Sequence, residues 1–171
     1  MIYVLYGQPS SGKTTLGQLI AARESIPTEN VIDGDALRTS FKNRDYSKQG
    51  RIDNIKTANL IATYLHQNGR VDVVVSLVNP FEELRKELRK LNGEKQVLEI
   101  LLKSDRGDKK EFHVEQFEEG NPDFEFDTNR SVQETWDMIG KEVFGDVGFR
   151  PYGKSWFAWR ENSKDGNNYK Y

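Results

Sequence analysis

Gly7-Gln8-Pro9-Ser10-Ser11-Gly12-Lys13-Thr14 is the stretch whose reading decides the fold. It follows the apolar run Ile2-Tyr3-Val4-Leu5-Tyr6 without a gap. It runs into Thr15-Leu16-Gly17-Gln18-Leu19-Ile20-Ala21-Ala22-Arg23, which is apolar at helical period. Strand, glycine loop and helix, in that order, are the context that the G-x-x-x-x-G-K-[ST] pattern requires. Gly7 and Gly12 let the backbone turn its N–H groups onto phosphate oxygens, and the helix N-terminus adds unpaired donors and a positive dipole end. Lys13 can reach the β- and γ-phosphates, and the Thr14 hydroxyl can ligate Mg²⁺. Ser10, Ser11 and Thr15 complete the expected nucleotide-contacting set. A chance match is the bland alternative, and the flanking strand and helix speak against it. The stretch implies binding of a nucleoside triphosphate.

The 171 residues suit one domain with a sizeable core. A net charge of −2 argues against a general polyanion binder, though not against a local basic patch. The absence of cysteine excludes a disulfide framework, a thiolate nucleophile and a cysteine metal site. No apolar run approaches membrane-spanning length, and the N-terminus reads as a core strand rather than a signal peptide. The expected location is the cytoplasm, with no membrane partner.

Outward from the loop, Pro27 ends the first helix, and Val31-Ile32-Asp33-Gly34-Asp35 reads as a short strand ending in two acids. One or two helical turns over 36–41 and a polar loop over 42–47 follow. A long helix is expected from Lys48 to Asn68, with Ile52, Ile55, Ala58, Asn59, Ala62 and Leu65 on one stripe. Val71 to Val78 is a β-branched run with little alternation, as expected of a parallel strand covered on both faces. Asn79 suits an N-cap and Pro80 a first helical position for an amphipathic helix over Phe81–Leu91. A strand over Gln96–Leu102 comes next. The segment from Lys103 to Asn121 is too long for a plain connection and reads as a mobile functional loop. Phe124–Asp127 is a short strand, and Ser131 with Glu134 forms a capping box for a helix to Val143. This alternation predicts an α/β fold, three-layer α/β/α, with a mainly parallel five-stranded sheet. Ligands of such sheets sit at the carboxyl ends of the strands.

From Gly145 the composition shifts to aromatics (Phe149, Tyr152, Trp156, Phe157, Trp159, Tyr169, Tyr171) mixed with Arg150, Lys154, Arg160, Lys164 and Lys170. Trp156–Arg160 and Asn168–Tyr171 read as two strands. We take residues 1–143 as the main domain and 144–171 as an appendage. Its aromatics either pin a hairpin to the domain or to a second copy in a homodimer, or stack on a nucleotide or nucleic-acid strand. Packing is the favoured reading.

No N-K-x-D guanine motif is present, and the core strand ends in Ser76 rather than the acid of a motor-type ATPase. A small-molecule kinase remains. It needs an acid beside the acceptor hydroxyl, cations around the transferring phosphoryl group and a lid against water. Asp33 and Asp35, then Arg38, Arg44 and Arg51, then Lys103, Arg106, Lys109 and Lys110 supply these.

Val31-Ile32-Asp33-Gly34-Asp35-Ala36-Leu37-Arg38 resembles the D-G-D-x-x-R segment of adenylylsulfate (APS) kinases. Tyr46, Arg51 and Asn54 resemble that family's aromatic, arginine and asparagine at the same spacing. Val75-Ser76-Leu77-Val78-Asn79-Pro80-Phe81 resembles its strand-end serine and its aliphatic-x-Pro-aromatic turn, and Asp127-Thr128 is similar to the Asp-Thr near its adenine pocket. The resemblance covers about residues 1–143, closest to compact, phage-type members. It implies transfer of the ATP γ-phosphate to the 3′-hydroxyl of adenylyl sulfate. Arg38, Arg51 and Asn54 would hold the phosphosulfate and ribose, and Tyr46 would stack on the adenine where the family usually has phenylalanine. Asp33 or Asp35 would accept the hydroxyl proton or order magnesium, with Thr14 and Asp33 as the metal side. Ser76, Leu77 and Val78 would border the acceptor. Thr128 and Arg106 would contact ATP, and Lys110 the acceptor.

The lid here is shorter and more acidic than the family's, and Asn79 stands where serine is frequent. Two alternatives follow: a kinase of another hydroxyl (nucleoside, modified base or polynucleotide), or a non-catalytic ATP-binding module. Plainer readings also exist. Asp33 and Asp35 suit a turn, Arg51 and Asn54 a solvated helix face, and Ser76 a cap. His66 and His113 read as structural. Lys86, Arg89 and Lys90 read as the wet face of a helix.

Overall fold

The side chains of β1 (Ile2–Tyr6) leave the strand alternately on two faces, and both faces are buried, so this strand must lie mid-sheet. A computed structural model, described here for residues 1–106 and 110–145 with the Lys110 side chain excepted, has it there. Among the described residues the sheet has five parallel strands in the order β2-β3-β1-β4-β5, where β2 is Val31–Asp33, β3 Val73–Ser76, β4 Val97–Lys103 and β5 Phe124–Asp127. The order reverses at β1, between β3 and β4, which opens a crevice at the carboxyl ends of β1 and β3.

Tyr3 and Leu5 face one layer, α1 (Lys13–Arg23) and α5 (Val132–Phe144), through Leu16, Leu19, Ile20, Trp136 and Ile139. Ile2 and Val4 face the other, α2 (Gly34–Ser40), α3 (Lys48–Gly69) and α4 (Glu82–Asn92), through Leu37, Ile55, Ala58, Ala62, Leu84 and Leu88. The expected three-layer architecture is therefore the observed one. The capping box forms as read: Ser131 Oγ accepts from Glu134 N while Glu134 Oε2 accepts from Ser131 N. Among the described residues no helix is long and apolar enough to cross a membrane.

Four local readings change. The second strand stops at Asp33, because Asp33 caps α2 and draws Gly34 and Asp35 into its first turn. The third strand is Val73–Ser76, shorter at both ends than 71–78. Asn79 is not an N-cap. It sits in the left-handed region at φ 44°, where asparagine is tolerated, and α4 starts three residues on with no side-chain cap. Arg89 is not solvated either. It donates to Glu99 Oε1 at 2.6 Å and to Asp123, while the neighbouring Arg85 is 1% exposed. The appendage expected from residue 144, with its two strands, lies outside the described residues from 146 on.

Candidate active site

A cavity of about 330 Å³ opens at the carboxyl ends of β1, β2 and β3. Its first wall is the glycine loop. Gly7 has φ 149° and so close an approach to β4 that a Cβ would stand 2.2 Å from the Leu102 carbonyl, which only glycine allows. Lys13 Nζ donates to Gln8 O at 2.7 Å and to Ser11 Oγ at 3.1 Å, so the ammonium lies along the inside of the loop. Ser76 Oγ donates to the Lys13 carbonyl and ties α1 to the end of β3.

The second wall is the end of β2. Thr14 Oγ1 donates to Asp33 Oδ2 at 2.6 Å, and Asp33 Oδ1 accepts from the N–H groups of Asp35 and Ala36. The hydroxyl and carboxylate oxygens of Thr14 and Asp33 converge, and oxygen donors are what Mg²⁺ takes. No group of three or more His, Cys, Asp or Glu able to hold a metal exists among the described residues. An ion at Thr14 and Asp33 would therefore complete its shell with water and phosphate oxygens, the usual arrangement for Mg²⁺.

The third wall carries cations and rings. Arg38, 8% exposed, donates to Asp45 O at 2.7 Å and to Asn43 Oδ1, and its guanidinium lies 4.3 Å from the centre of the Tyr46 ring. Arg51 donates from Nε to Tyr46 O and from a terminal nitrogen to Phe112 O, each at 3.0 Å. Burial, together with the charge of Arg38, pushes the Arg51 guanidinium below its ordinary pKa. The charge of an anion offsets both effects, so this wall favours a negatively charged occupant. Phe112 packs on Tyr46 with ring centres 4.7 Å apart. Asn54 is buried, with Nδ2 at 3.5 Å from Gly34 O.

Of the residues expected at the site, Ser10, Gly12, Lys13, Thr14, Thr15, Asp33, Asp35, Arg38, Tyr46, Arg51, Asn54, Ser76, Leu77, Val78 and Arg106 all line this one cavity. Gly7, Ser11 and Thr128 do not. Thr128 is 3% exposed and its hydroxyl lies 3.1 Å from Ser11 O and 3.0 Å from Lys103 O, so it braces the loop from behind. Arg106, in turn, donates to the Thr128 carbonyl at 2.6 Å. Arg44 lines a neighbouring cleft with Lys42 and Thr39. Lys109 and the Lys110 side chain lie outside the described residues.

The model of the adenylylsulphate kinase family matches residues 1–113. This chain belongs to the adenylylsulphate kinase family. Among adenylylsulphate kinase relatives, the adenylyl-sulfate kinase of Gloeothece citriformis is 35% identical over 89 residues, 50% of this chain and 49% of that protein. The cytidine diphosphoramidate kinase of Campylobacter jejuni is 35% identical over 91 residues, 50% of this chain and 53% of its own length. The chain thus spans about half the length of the curated relatives it matches. The fold is that of the Mycobacterium tuberculosis APS kinase CysC in complex with AMPPNP and APS. That match has a TM-score of 0.67 and 20% identity, and covers 84% of this chain and 96% of that one.

Sequence reading gave no role to Gln8 or Phe112, and named Asn79 and Pro80 only as a helix start and as part of the turn that resembles the family's. Pro80, Asn79 and Phe112 line the cavity. Phe112 carries a signal, an aromatic within a charged loop; Gln8 stands at a variable place of its motif and carries none. The segment 103–121, read as a mobile loop, is docked over its described C-terminal part. Gln8 holds Val114, Arg85 donates to the carbonyls of Glu118 and Glu119, and Tyr6 donates to Glu119 O at 2.5 Å.

Proposed function

We propose that this protein is an ATP-dependent adenylylsulfate kinase, transferring the γ-phosphoryl group of ATP to the 3′-hydroxyl of adenylyl sulfate. The observation that carries the reading is the meeting, in one cavity, of the Lys13–Thr14 loop end with the Arg38–Tyr46–Arg51 wall. Backbone N–H groups of the loop and Lys13 would neutralise the β- and γ-phosphates. Mg²⁺ held by Thr14 and Asp33 would supply charge neutralisation between those phosphates. Asp35, on the same rim, would accept the proton of the attacking hydroxyl. Arg38 and Arg51 would fix the anionic phosphosulfate, Asn54 the ribose, and Tyr46 would stack on the base. Family membership over residues 1–113 supports the same chemistry. We also read residues 1–143 as the kinase domain and 144–171 as its appendage.

The test is ADP release with Mg·ATP, with and without adenylyl sulfate, beside Lys13→Ala. Adenylyl-sulfate-dependent turnover, lost in the variant, with a product heavier by one phosphoryl group, is the expected result. ATP binding without that dependence would overturn it.

A second reading is a kinase of another hydroxyl on a similar anionic nucleotide. The observation favouring it is the equal likeness to the Campylobacter jejuni cytidine diphosphoramidate kinase. A cytidine-based diphosphoramidate in the same assay separates the two.

A further inference from the structure

The side-chain amide of Gln8 spends both of its ends on one residue of a distant segment. Nε2 donates to Val114 O at 2.8 Å, and Oε1 accepts from Val114 N at 3.1 Å. This is the two-bond exchange that a strand residue makes with its neighbour, here made by a side chain. The carbonyl of the same Gln8 accepts from Lys13 Nζ at 2.7 Å and from Ser11 N at 3.3 Å. Two residues before Val114, Phe112 lies against Tyr46 and gives its carbonyl to Arg51. Gln8 is thus the join between the loop that carries Lys13 and the arginine–aromatic wall. The ties made by Tyr6 and Arg85 reach only Glu118 and Glu119, four and five residues further along.

We propose that Gln8 is a positioning residue that couples the phosphate loop to residues 112–114, so that a nucleotide ordering the loop also sets the acceptor wall. The inference rests on reading the cavity as a site shared by nucleotide and acceptor. A loop held by phosphate holds the Gln8 amide in place, and the segment then docks with less freedom left to lose. The coupling runs both ways, since docking of the segment equally restrains the loop. A methionine at position 8 would fill similar space but offers neither an N–H donor nor a carbonyl-grade acceptor, so it breaks the join without opening a hole.

Amide hydrogen exchange on the full chain, wild type and Gln8→Met, with and without adenylyl imidodiphosphate, tests this. In the wild type the Val114 amide should be protected, and saturation with the analogue should raise protection across 112–114. In Gln8→Met, protection at Val114 should fall roughly tenfold or more, the effect of losing two hydrogen bonds, and should stop responding to bound analogue. Exchange at Val114 equal to wild type in the variant would overturn the proposal. So would a wild-type segment indifferent to saturating analogue, an outcome that needs no variant to fold. No acceptor is present in this experiment. Failure to turn over adenylyl sulfate therefore bears on the proposed reaction alone, and flat exchange bears on the Gln8 join alone.

Discussion

Thr14 Oγ1 donates to Asp33 Oδ2 at 2.6 Å, joining the first turn of α1 to the end of β2. The other oxygen of Asp33 caps α2 through the N–H groups of Asp35 and Ala36. One carboxylate therefore serves the site and the fold with separate atoms, and the two roles can be pulled apart. Asn caps as well as Asp, so Asp33→Asn should change unfolding free energy by no more than about 0.5 kcal/mol. It should lower turnover roughly a hundredfold, because an amide is a far poorer partner for a cation. Asp33→Ala should lose the turnover and about 1 kcal/mol of stability together. Urea unfolding beside ADP release reads both. An Asn variant with wild-type turnover would take Asp33 out of the chemistry.

Arg51 reaches both Tyr46 and Phe112 by their carbonyls and lies half-buried beside Arg38. Arg51→Ala should raise KM for adenylyl sulfate by roughly tenfold to a hundredfold, the worth of a charge-assisted hydrogen bond, with little change in KM for ATP. Steady-state kinetics with each substrate varied in turn checks it. An unchanged KM for adenylyl sulfate would mean that the acceptor lies elsewhere.

Arg85 and Arg89 bracket the buried Glu99, Arg85 Nε lying 3.3 Å from one oxygen and Arg89 Nε 2.6 Å from the other. Arg85 also donates to the carbonyls of Asn79, Glu118 and Glu119. Removing it leaves Glu99 with Arg89 alone and takes the donor from three carbonyls at once. Arg85→Ala should therefore cost about 3–5 kcal/mol in denaturant unfolding. Arg89→Ala, nearer the surface, should cost less. Equal, small losses at both positions would show that Glu99 does not need its inner partner.

The Ser131 hydroxyl and backbone N–H hold the Glu134 carboxyl below the usual carboxylate range. A depressed folded-state pKa means stability that is present above the ordinary glutamate value and is lost as pH falls through the folded one. Wild type should exceed Glu134→Gln near neutrality, and the gap should close below about pH 4. Thermal unfolding against pH measures this. A gap that persists in acid would assign the effect to packing instead.

The sheet was legible because β1, β3 and β4 are buried on both faces, which only long apolar runs can satisfy. The motif residues were legible because their spacing carries chemistry. What escaped was decided by long-range partners. Arg89 looks solvated on a helical wheel and is drawn inward by Glu99, a charge on a strand reached only after the chain has turned back. Asn79 looks like a cap until the αL turn at its own position moves the helix start onward. Gln8 occupies a variable place in its motif, and nothing local points to Val114.

The hydroxyl of Thr128 lies 3.1 Å from the Ser11 carbonyl, 117 residues away in sequence. The strand before it, β5, closes the sheet beside β4, and Phe126 and Trp136 fill the layer beneath α1. A chain emerging from the ribosome has thus made every motif of its nucleotide loop long before it has made the brace for that loop. The loop is made first and gains its backing only when β5 pairs with β4.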